Sequence, residues 1–379
     1  MRSSIMENRS IVTSRTWSAE RLEYFNLFQP SRLLKNVKKS TIWVKLFHWE
    51  YWDFNLIYGS VFFLHLWQSF KARSFFYFSA SNPGLENAGF IGERKSEIMK
   101  KIPSDLQPKW FLVENFQLPD LLNELEISGI KFPLICKPNV GERGKGVAKI
   151  ENQEDLIKYH TEVNSPYLVQ SFVPFPLEFG VFYFRIPGEA EGKVSSIVQK
   201  VFLSVEGDGI STLADLVENE PRARFVKYYL GCKFKDIWHD ILAKGKKLEL
   251  EGIGNHCRGT TFLNANSLIT KELTDSFDLI SKKIKGFYFG RYDIRVASIA
   301  DLQAGHIQIL ELNGAGAEPA HIYQPGFSFF EGQKVLLRHW QALFEISRKN
   351  NLSGTAYWSY KEAKAIKIAH KKALHQIGI

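Results

Sequence analysis

The stretch "GRYDIRVASIADLQAGHIQILELN" (residues 290–313) contains two β-rich runs separated by a turn centred near residues 302 and 303. Runs joined by so short a connection pair in the antiparallel sense, since a parallel pair needs a crossover of about a dozen residues or more. Pairing about this turn places Asp293 opposite about Glu311. The stretch therefore predicts antiparallel sheets.

Three oxygen ligands meet on this predicted hairpin. Alternate residues of a strand share a face, so Arg291, Asp293 and Arg295 lie on one side of the first run, and Glu311 and Asn313 on one side of the second. Two carboxylates and an amide beside arginines suit Mg²⁺ carrying a nucleotide triphosphate. A hairpin whose solvent face carries cross-strand ion pairs is the alternative, although the run "ILELN" is otherwise apolar.

A glycine-rich stretch, "PLICKPNVGERGKGVAKI" (residues 133–150), has the composition of a loop that wraps its backbone around an anion. Its glycine order, GxxGxG, fits neither the Walker A loop nor the dinucleotide fingerprint. The loop joins two apolar runs, so we predict the tip of a hairpin that folds over a polyphosphate, with Lys137, Arg143 and Lys145 as its cations. A glycine-rich hairpin without function is the alternative.

The composition indicates a folded protein with more than one lobe. The chain has 379 residues, of which 45% are hydrophobic and 23% charged, and two or three lobes are expected at this length. Its cysteines, Cys136, Cys232 and Cys257, form no CxxC pair. This argues against a disulfide framework and a structural zinc site, and it fits a reducing, cytoplasmic compartment. We recognise no signal peptide.

The positive charge is concentrated near the N-terminus. Residues 1–75 hold 11 Lys and Arg against 5 Asp and Glu, a surplus of 6 within the chain's net +9. The segment is crowded with aromatic residues, but its longest apolar run, residues 56–67, is shorter than the roughly 20 residues that span a bilayer. Residues 1–78 are either helices packed on the protein or a peripheral surface in an anionic membrane interface. No nucleic-acid partner is predicted, because no nucleic-acid motif is present.

Beyond residue 78, short β-rich runs alternate with helical stretches, which predicts an α+β fold with largely antiparallel sheets. One helix is predicted over residues 95–101. Another follows "GDGIST" (residues 207–212) and is capped by Ser211 or Thr212. The basic C-terminal stretch predicts a packed helix, with a second membrane contact as the minor alternative.

Several motifs together resemble those of the ATP-grasp superfamily. In chain order they are Lys95, "KP" (137–138), the glycine loop, "YLVQSFVPFPLEF" (167–179), "GRYDIR" (290–295) and "LELNGAGAEP" (310–319). Their order and spacing are similar to those of D-alanine:D-alanine ligases and of the ligase domains of cyanophycin synthetases, over residues about 90–325. The resemblance implies an ATP-grasp fold, in which two α+β lobes clasp ATP.

This resemblance also divides the chain. Residues 1–78 form the basic, aromatic-rich and mainly helical N-terminal segment, and residues 79–135 form a connecting region and the first grasp lobe. Residues 136–330 form the domain that binds ATP and magnesium, and residues 331–379 form C-terminal helices. D-alanine:D-alanine ligases position their first substrate with an acid in an N-terminal lobe, for which this sequence offers no match.

The resemblance implies a role for each matching position. Lys95 and Lys137 hold the α- and β-phosphates, the backbone of Gln170 to Val173 reads the adenine edge, and Glu178 accepts the ribose hydroxyls. The residues implied to bind ATP are Lys95, Lys137, Gly141, Arg143, Gly144, Lys145, Gly146, Gln170, Ser171, Val173 and Glu178. The residues implied to bind two Mg²⁺ ions, with Mn²⁺ as an alternative, are Asp293, Glu311 and Asn313. The implied catalytic residues are Arg291, Arg258, His256 and Arg295.

The function implied is that of an ATP-dependent carboxylate–amine ligase. Transfer of the γ-phosphoryl group makes an acyl phosphate that an amine attacks, with release of ADP and phosphate. The partners are a small carboxylate and an amine, whose identities the motifs do not name, and no oligomeric state is implied. Two alternatives stay open: a kinase that phosphorylates a hydroxyl or an acid, and a non-catalytic ATP-binding protein held at the inner face of the membrane.

Overall fold

The structure is a computed structural model that describes Trp49, Trp52 and residues 54–142, 144–252, 254 and 259–377. Its antiparallel sheets and the helices around them confirm the predicted α+β class. The helices are α1 (Phe54–Ile57), α2 (Gly59–Ala72), α3 (Lys95–Met99), α4 (Leu118–Ser128), α5 (Gln153–Glu162), α6 (Leu213–Asn219), α7 (Pro221–Arg224), α8 (Lys227–Lys233), α9 (Lys271–Lys283), α10 (Ile299–Ala304), α11 (Phe329–Leu352) and α12 (Tyr360–Gln376). The strands are β1 (Trp110–Val113), β2 (Leu134–Pro138), β3 (Ala148–Ile150), β4 (Tyr167–Ser171), β5 (Leu177–Phe184), β6 (Lys193–Val201), β7 (Leu203–Glu206), β8 (Lys247–Glu251), β9 (Thr261–Asn264), β10 (Phe289–Val296) and β11 (Gln308–Asn313).

The first sheet has four strands in the order β1-β4-β2-β3. Helices α4 and α5 bury their apolar stripes in its core, where Leu121 and Leu156 meet Leu134 and Val169. Strands β2 and β3 pair in the antiparallel sense on either side of the glycine loop, as the sequence predicts. The predicted domain boundary after residue 135 falls within β2, so this sheet draws strands from both sides of it.

The second sheet has five strands in the order β11-β10-β5-β6-β9. One face packs on α9, whose Leu273 and Phe277 meet Tyr292 of β10. The other face is covered in part by α11, which packs against Phe182 and Phe289. Further along the same face the strands carry charged side chains in place of apolar ones, and the candidate site lies there. A separate pair, β7 and β8, forms a small two-stranded sheet.

The connection between β10 and β11 differs from the predicted turn because it contains helix α10. The Ser298 hydroxyl caps this helix by accepting the backbone N–H of Asp301 at 3.1 Å. The helix ends at Gly305, whose φ of 76° lies in the left-handed region that glycine adopts without strain. The remaining helix predictions agree more closely: α3 begins at Lys95, and Thr212 caps α6 in a capping box with Asp215.

Two helices at the ends of the described chain lie outside these sheets. Helix α2 packs along α11, and its inner residues are buried. Helix α12 forms as predicted, but none of its side chains is buried. It contacts the rest of the protein at single residues such as His370, which lies beside Gly92. None of the described helices is both long enough and apolar enough to cross a lipid bilayer.

Candidate active site

Strands β10 and β11 bring the three predicted oxygen ligands together. Asp293 pairs directly with Glu311, and Arg291 pairs with Asn313, as the alternation of the sequence predicts. The Asn313 side-chain amide donates to Asp293 Oδ2 at 3.3 Å. Two carboxylates and one amide oxygen therefore lie on one face of the five-stranded sheet.

Arg291 is held against Asp293 by two hydrogen bonds. Its Nε donates to Asp293 Oδ1 at 3.0 Å, and its Nη2 donates to Oδ2 at 3.2 Å. Its Nη1 donates to the backbone carbonyl of Glu318 at 3.2 Å, in the loop that follows β11. This fork fixes the guanidinium plane beside the carboxylate.

Two lysines from other elements reach the carboxylate pair. Lys95, at the start of α3, places its Nζ 2.9 Å from Glu311. Lys200, on β6, places its Nζ 3.3 Å from Asp293 and 3.2 Å from Glu178. Burial would raise the pKa of Glu311, but the ammonium groups of Lys95 and Lys137 outweigh it and hold the pKa at about 2. Glu311 is therefore ionised at neutral pH.

Lys137 lies at the same place without a carboxylate in contact. It is 6% exposed, and its Nζ donates to the backbone carbonyl of Leu310 at 2.9 Å. Burial lowers its pKa to about 8, against the opposing attraction of Glu311. Among the described residues no carboxylate contacts this ammonium, so a bound anion would stabilise it.

Glu93 joins the site although the sequence analysis did not select it. It lines a small cavity with Lys95, Lys137, Glu311 and Asn313. Its Oε2 is buried and has no hydrogen-bond partner in the part of the chain that the structure describes. Burial raises the pKa of Glu93 above its ordinary value. Its position two residues before Lys95 was the only signal in the sequence.

The glycine loop stands at the edge of this cluster. The Lys95 Nζ donates to the carbonyl of Gly141 at 2.9 Å, which ties the loop to the site. Gly144 and Gly146 have φ of 69° and 70°, a conformation that requires glycine. Lys145 is exposed. The glycine loop therefore lies at the tip of the β2–β3 hairpin and is bonded to Lys95, and its role as a lid stays a prediction.

In the predicted adenine hinge, some backbone groups are already hydrogen-bonded within the protein. The backbone N–H of Ser171 donates to the backbone carbonyl of Lys109 at 2.8 Å, and the backbone carbonyl of Val173 accepts from Arg295 Nη1 at 2.8 Å. Gln170 is buried on β4, and its Nε2 makes no hydrogen bond to a described residue. The hinge thus has internal partners at two of the positions that were expected to read the base.

Glu178 and Arg295 form a buried pair next to the hinge. The Arg295 Nε donates to Glu178 at 3.0 Å, and the guanidinium lies between the rings of Phe172 and Phe202. Gly254 approaches so closely that a Cβ there would lie 2.1 Å from the Glu178 carboxylate. The hydrogen bonds of Arg295 therefore go to the hinge and to Glu178, rather than to the Asp293–Glu311 pair.

Lys200 is the site residue that sequence reasoning missed most clearly. Along β6 the buried residues Ser196, Val198 and Lys200 share one face through the strand's period of two. A lysine on the inward face of an apolar strand was the available signal. The other predicted residues, Arg143, His256 and Arg258, lie outside the described residues.

The donor set fits a divalent cation only with help from a ligand. In the described part of the chain, no group of three or more His, Cys, Asp or Glu side chains is placed to hold a metal ion. Asp293 and Glu311 supply two carboxylates and Asn313 supplies an amide oxygen, which is the hard-oxygen chemistry that Mg²⁺ prefers. Phosphate oxygens would complete its coordination.

Comparisons with known proteins find distant structural similarity. No protein-family model matches the sequence, and the search of curated proteins finds no match. A bifunctional glutathione synthetase from Pasteurella multocida is 16% identical with a TM-score of 0.35, over 64% of this chain and 36% of that one. A D-alanine–D-alanine ligase from Bacillus anthracis is 16% identical with a TM-score of 0.38, over 69% and 67%.

A further solved structure, the D-Ala:D-Ser ligase VanG from Enterococcus faecalis, is 15% identical with a TM-score of 0.39, over 66% of this chain and 61% of that one. The chain thus spans between 36% and 67% of the length of these three structures.

Proposed function

We propose that the protein is an ATP-dependent ligase that joins a small carboxylic acid to an amine through an acyl phosphate. The observation that supports this most is that Lys95 and Lys200 contact the Asp293–Glu311 pair while Lys137 lies buried at the same place. An excess of buried ammonium groups favours a polyanion, and a pair of ionised carboxylates favours a divalent cation. Magnesium and a nucleoside triphosphate supply both together.

In this proposal the chain's own groups position the phosphates. Lys95 and Lys137 neutralise the α- and β-phosphates, and the glycine loop tied to Lys95 covers them. Asp293, Glu311 and Asn313 would hold Mg²⁺, which supplies charge neutralisation on the phosphate oxygens when it is bound. We further predict that these three residues bind two Mg²⁺ ions, and that Mn²⁺ can replace Mg²⁺.

The reaction then has two displacements. An oxygen of the acid attacks the γ-phosphorus, and the bond from phosphorus to the bridging oxygen of ADP breaks. The nitrogen of the amine attacks the acyl carbon, the bond to phosphate breaks, and the nitrogen loses a proton to solvent. Arg291 lies against Asp293, where it can stabilise the negative charge that builds up in both steps. Neither step requires a nucleophile from the protein.

Several assignments stay predictions within this proposal. They are the adenine hinge from Gln170 to Val173, the ribose contact of Glu178, the catalytic roles of Arg258, His256 and Arg295, and the domain boundaries. A cytoplasmic location with peripheral membrane contact through residues 1–78 is likewise a prediction.

The test is phosphate release from Mg-ATP in a screen over amino acids, dipeptides and polyamines. We expect ADP and phosphate only where an acid and an amine are both present. With an acid labelled by ¹⁸O in its carboxylate, one labelled oxygen should appear in the released phosphate, because the acyl phosphate passes it on. Asp293→Asn and Glu311→Gln should abolish turnover. The control is Asp275→Asn, an exposed carboxylate on α9 that pairs with Lys271.

Three results would contradict the proposal. Unlabelled phosphate would exclude an acyl phosphate. A stable phosphorylated product formed without an amine would select the kinase alternative. ATP binding without turnover over the whole screen would select a non-catalytic nucleotide-binding protein.

A further inference from the structure

Helix α2 has a buried inner side and an exposed outer side. Its inner side buries Val61, His65 and Gln68. The Gln68 amide donates to the side chain of Gln341 on α11 at 3.1 Å, and the His65 ring meets the edge of Trp340 at 5.6 Å. This side fastens the helix to the body of the protein.

The opposite side is apolar and exposed. At 100° per residue its five residues occupy an arc of roughly 140°, which is a continuous stripe. We call this stripe the aromatic face, and it consists of Phe62, Phe63, Leu66, Trp67 and Phe70. Phe63 is 73% exposed and Phe70 is 77% exposed. An exposed apolar stripe of this kind marks a contact surface.

We propose that the aromatic face docks on the surface of an anionic lipid bilayer. Phenylalanine and tryptophan are the side chains that insert at the boundary between headgroups and acyl chains. The helix has 14 residues, fewer than the roughly 20 needed to span a bilayer. It would therefore lie in the plane of the interface, with its inner side still packed on α11.

The charges around the aromatic face favour an anionic surface. Residues 54–78 contain no Asp or Glu. Lys71 closes the stripe at its C-terminal end, with its Nζ 4.8 Å from the centre of the Trp67 ring, and Arg73 follows it. Residues 1–48 add 9 Lys and Arg against 3 Asp and Glu. Cations next to an aromatic stripe are the pattern by which interfacial helices select anionic lipid.

The same charges disfavour a second copy of the chain as the occupant. A symmetric dimer through the aromatic face would place Lys71 and Arg73 of one copy near those of the other. The surplus of positive charge in residues 1–75 would also meet itself, and residues 54–78 offer no carboxylate to pair with it. An anionic bilayer surface meets the same cations with attraction.

The experiment is flotation of the full chain with vesicles of phosphatidylcholine, alone or mixed with phosphatidylglycerol. We expect flotation with the anionic vesicles, weakened by high salt. The triple variant Phe63→Ser, Trp67→Ser, Phe70→Ser should lower the partition coefficient by about tenfold or more, because it removes the inserted rings. Lys71→Gln with Arg73→Gln should weaken binding to anionic vesicles and leave the weak binding to neutral ones unchanged.

Matched controls come from exposed apolar residues on other helices. Ile127 on α4 is 70% exposed and Leu279 on α9 is 65% exposed, and Ile127→Ser with Leu279→Ser should float like the unmodified chain. The replaced side chains are all exposed, so thermal unfolding should change little in every variant, which separates docking from folding.

The proposal is overturned if the unmodified chain does not float. This result is expected if residues 1–48 of the chain itself cover the aromatic face. Flotation that the triple variant retains would also overturn it. So would a dimer in the absence of vesicles that the triple variant abolishes, since the face would then be a contact between copies.

Discussion

Replacing Lys200 by Met removes the ammonium group that lies between two buried carboxylates. Its Nζ is 3.2 Å from Glu178 and 3.3 Å from Asp293, and the three side chains are between 6% and 9% exposed. Burial alone would lower the pKa of Lys200, but Asp293 and Glu178 together raise it above its ordinary value. The lysine is therefore charged at neutral pH, and methionine is an unbranched, uncharged replacement that is one atom shorter.

Removing one partner of a buried ion pair costs about 3–5 kcal/mol, since the other charge stays buried. Here Glu178 keeps its bond to Arg295 and Asp293 keeps its bond to Arg291. We therefore expect a loss near the lower end, about 3 kcal/mol in the free energy of unfolding. A divalent cation on Asp293 would replace the missing charge, so Mg²⁺ with nucleotide should restore part of the loss.

The assay is equilibrium unfolding in urea at neutral pH, with and without magnesium and nucleotide. The control is Lys193→Met, which changes an exposed lysine at the start of the same strand. Lys200→Arg keeps the charge and should lose less stability than Lys200→Met. A loss for Lys200→Met no larger than that of the control would refute the reasoning, and so would a loss that Mg²⁺ with nucleotide enlarges.

Three further outcomes are expected. Nucleotide affinity should fall as pH rises through about 8, where Lys137 loses its proton. Lys137→Arg should remove this pH dependence, because arginine stays charged. An affinity of the unmodified chain that does not change with pH would contradict the prediction. Burial lowers the pKa of His321 and of His339 to about 4, so the unfolded chain binds more protons between pH 6.5 and 4, and the free energy of unfolding should fall there by about 3 kcal/mol for each histidine. Urea unfolding at a series of pH values checks this, and an unchanged midpoint between those limits would oppose it. Gly146→Ala should raise the KM for ATP, because its Cβ would lie 2.6 Å from the Pro138 side chain at a φ of 70°. The matched control is Gly188→Ala, which should leave the KM unchanged. Gly188 has a φ of 88°, and a Cβ there would meet no atom within 4 Å.

The sequence predicted those features that depend on neighbours along the chain. The pairing of Asp293 with Glu311 follows from a strand's period of two and from a short connection. The connection itself was predicted as a turn, yet it forms α10. Ser298 and Asp301 are a recognisable cap, but a segment of this length can be a turn or a short helix, and packing of Leu302 in the core decides between them.

The site residues that were missed depend on contacts across the sheet. Lys200 reaches Asp293 only because β5 lies between β6 and β10 and presents Gly180 at the level of Asp293. A Cβ at Gly180 would lie 3.2 Å from the Asp293 carboxylate, so glycine leaves room there. No pattern in the sequence near Lys200 or Asp293 indicates that β6 and β10 lie on either side of Gly180.

Under the proposed function, the arrangement of charges would couple the binding of a metal ion to the binding of the nucleotide. In the present structure Lys95 occupies Glu311 and Lys200 occupies Asp293, so each carboxylate already has an ammonium partner. A bare Mg²⁺ approaching these carboxylates meets the repulsion of both lysines, and a bare triphosphate approaching the lysines meets the repulsion of both carboxylates. If the proposed ligands bind together, Asp293 and Glu311 would hold the cation and Lys95 and Lys200 would face the phosphate oxygens, while Asp293 keeps Arg291 and Lys200 keeps Glu178. Lys95, Lys200, Asp293 and Glu311 would then each keep a partner of opposite charge, which lowers the cost of holding these charges away from water.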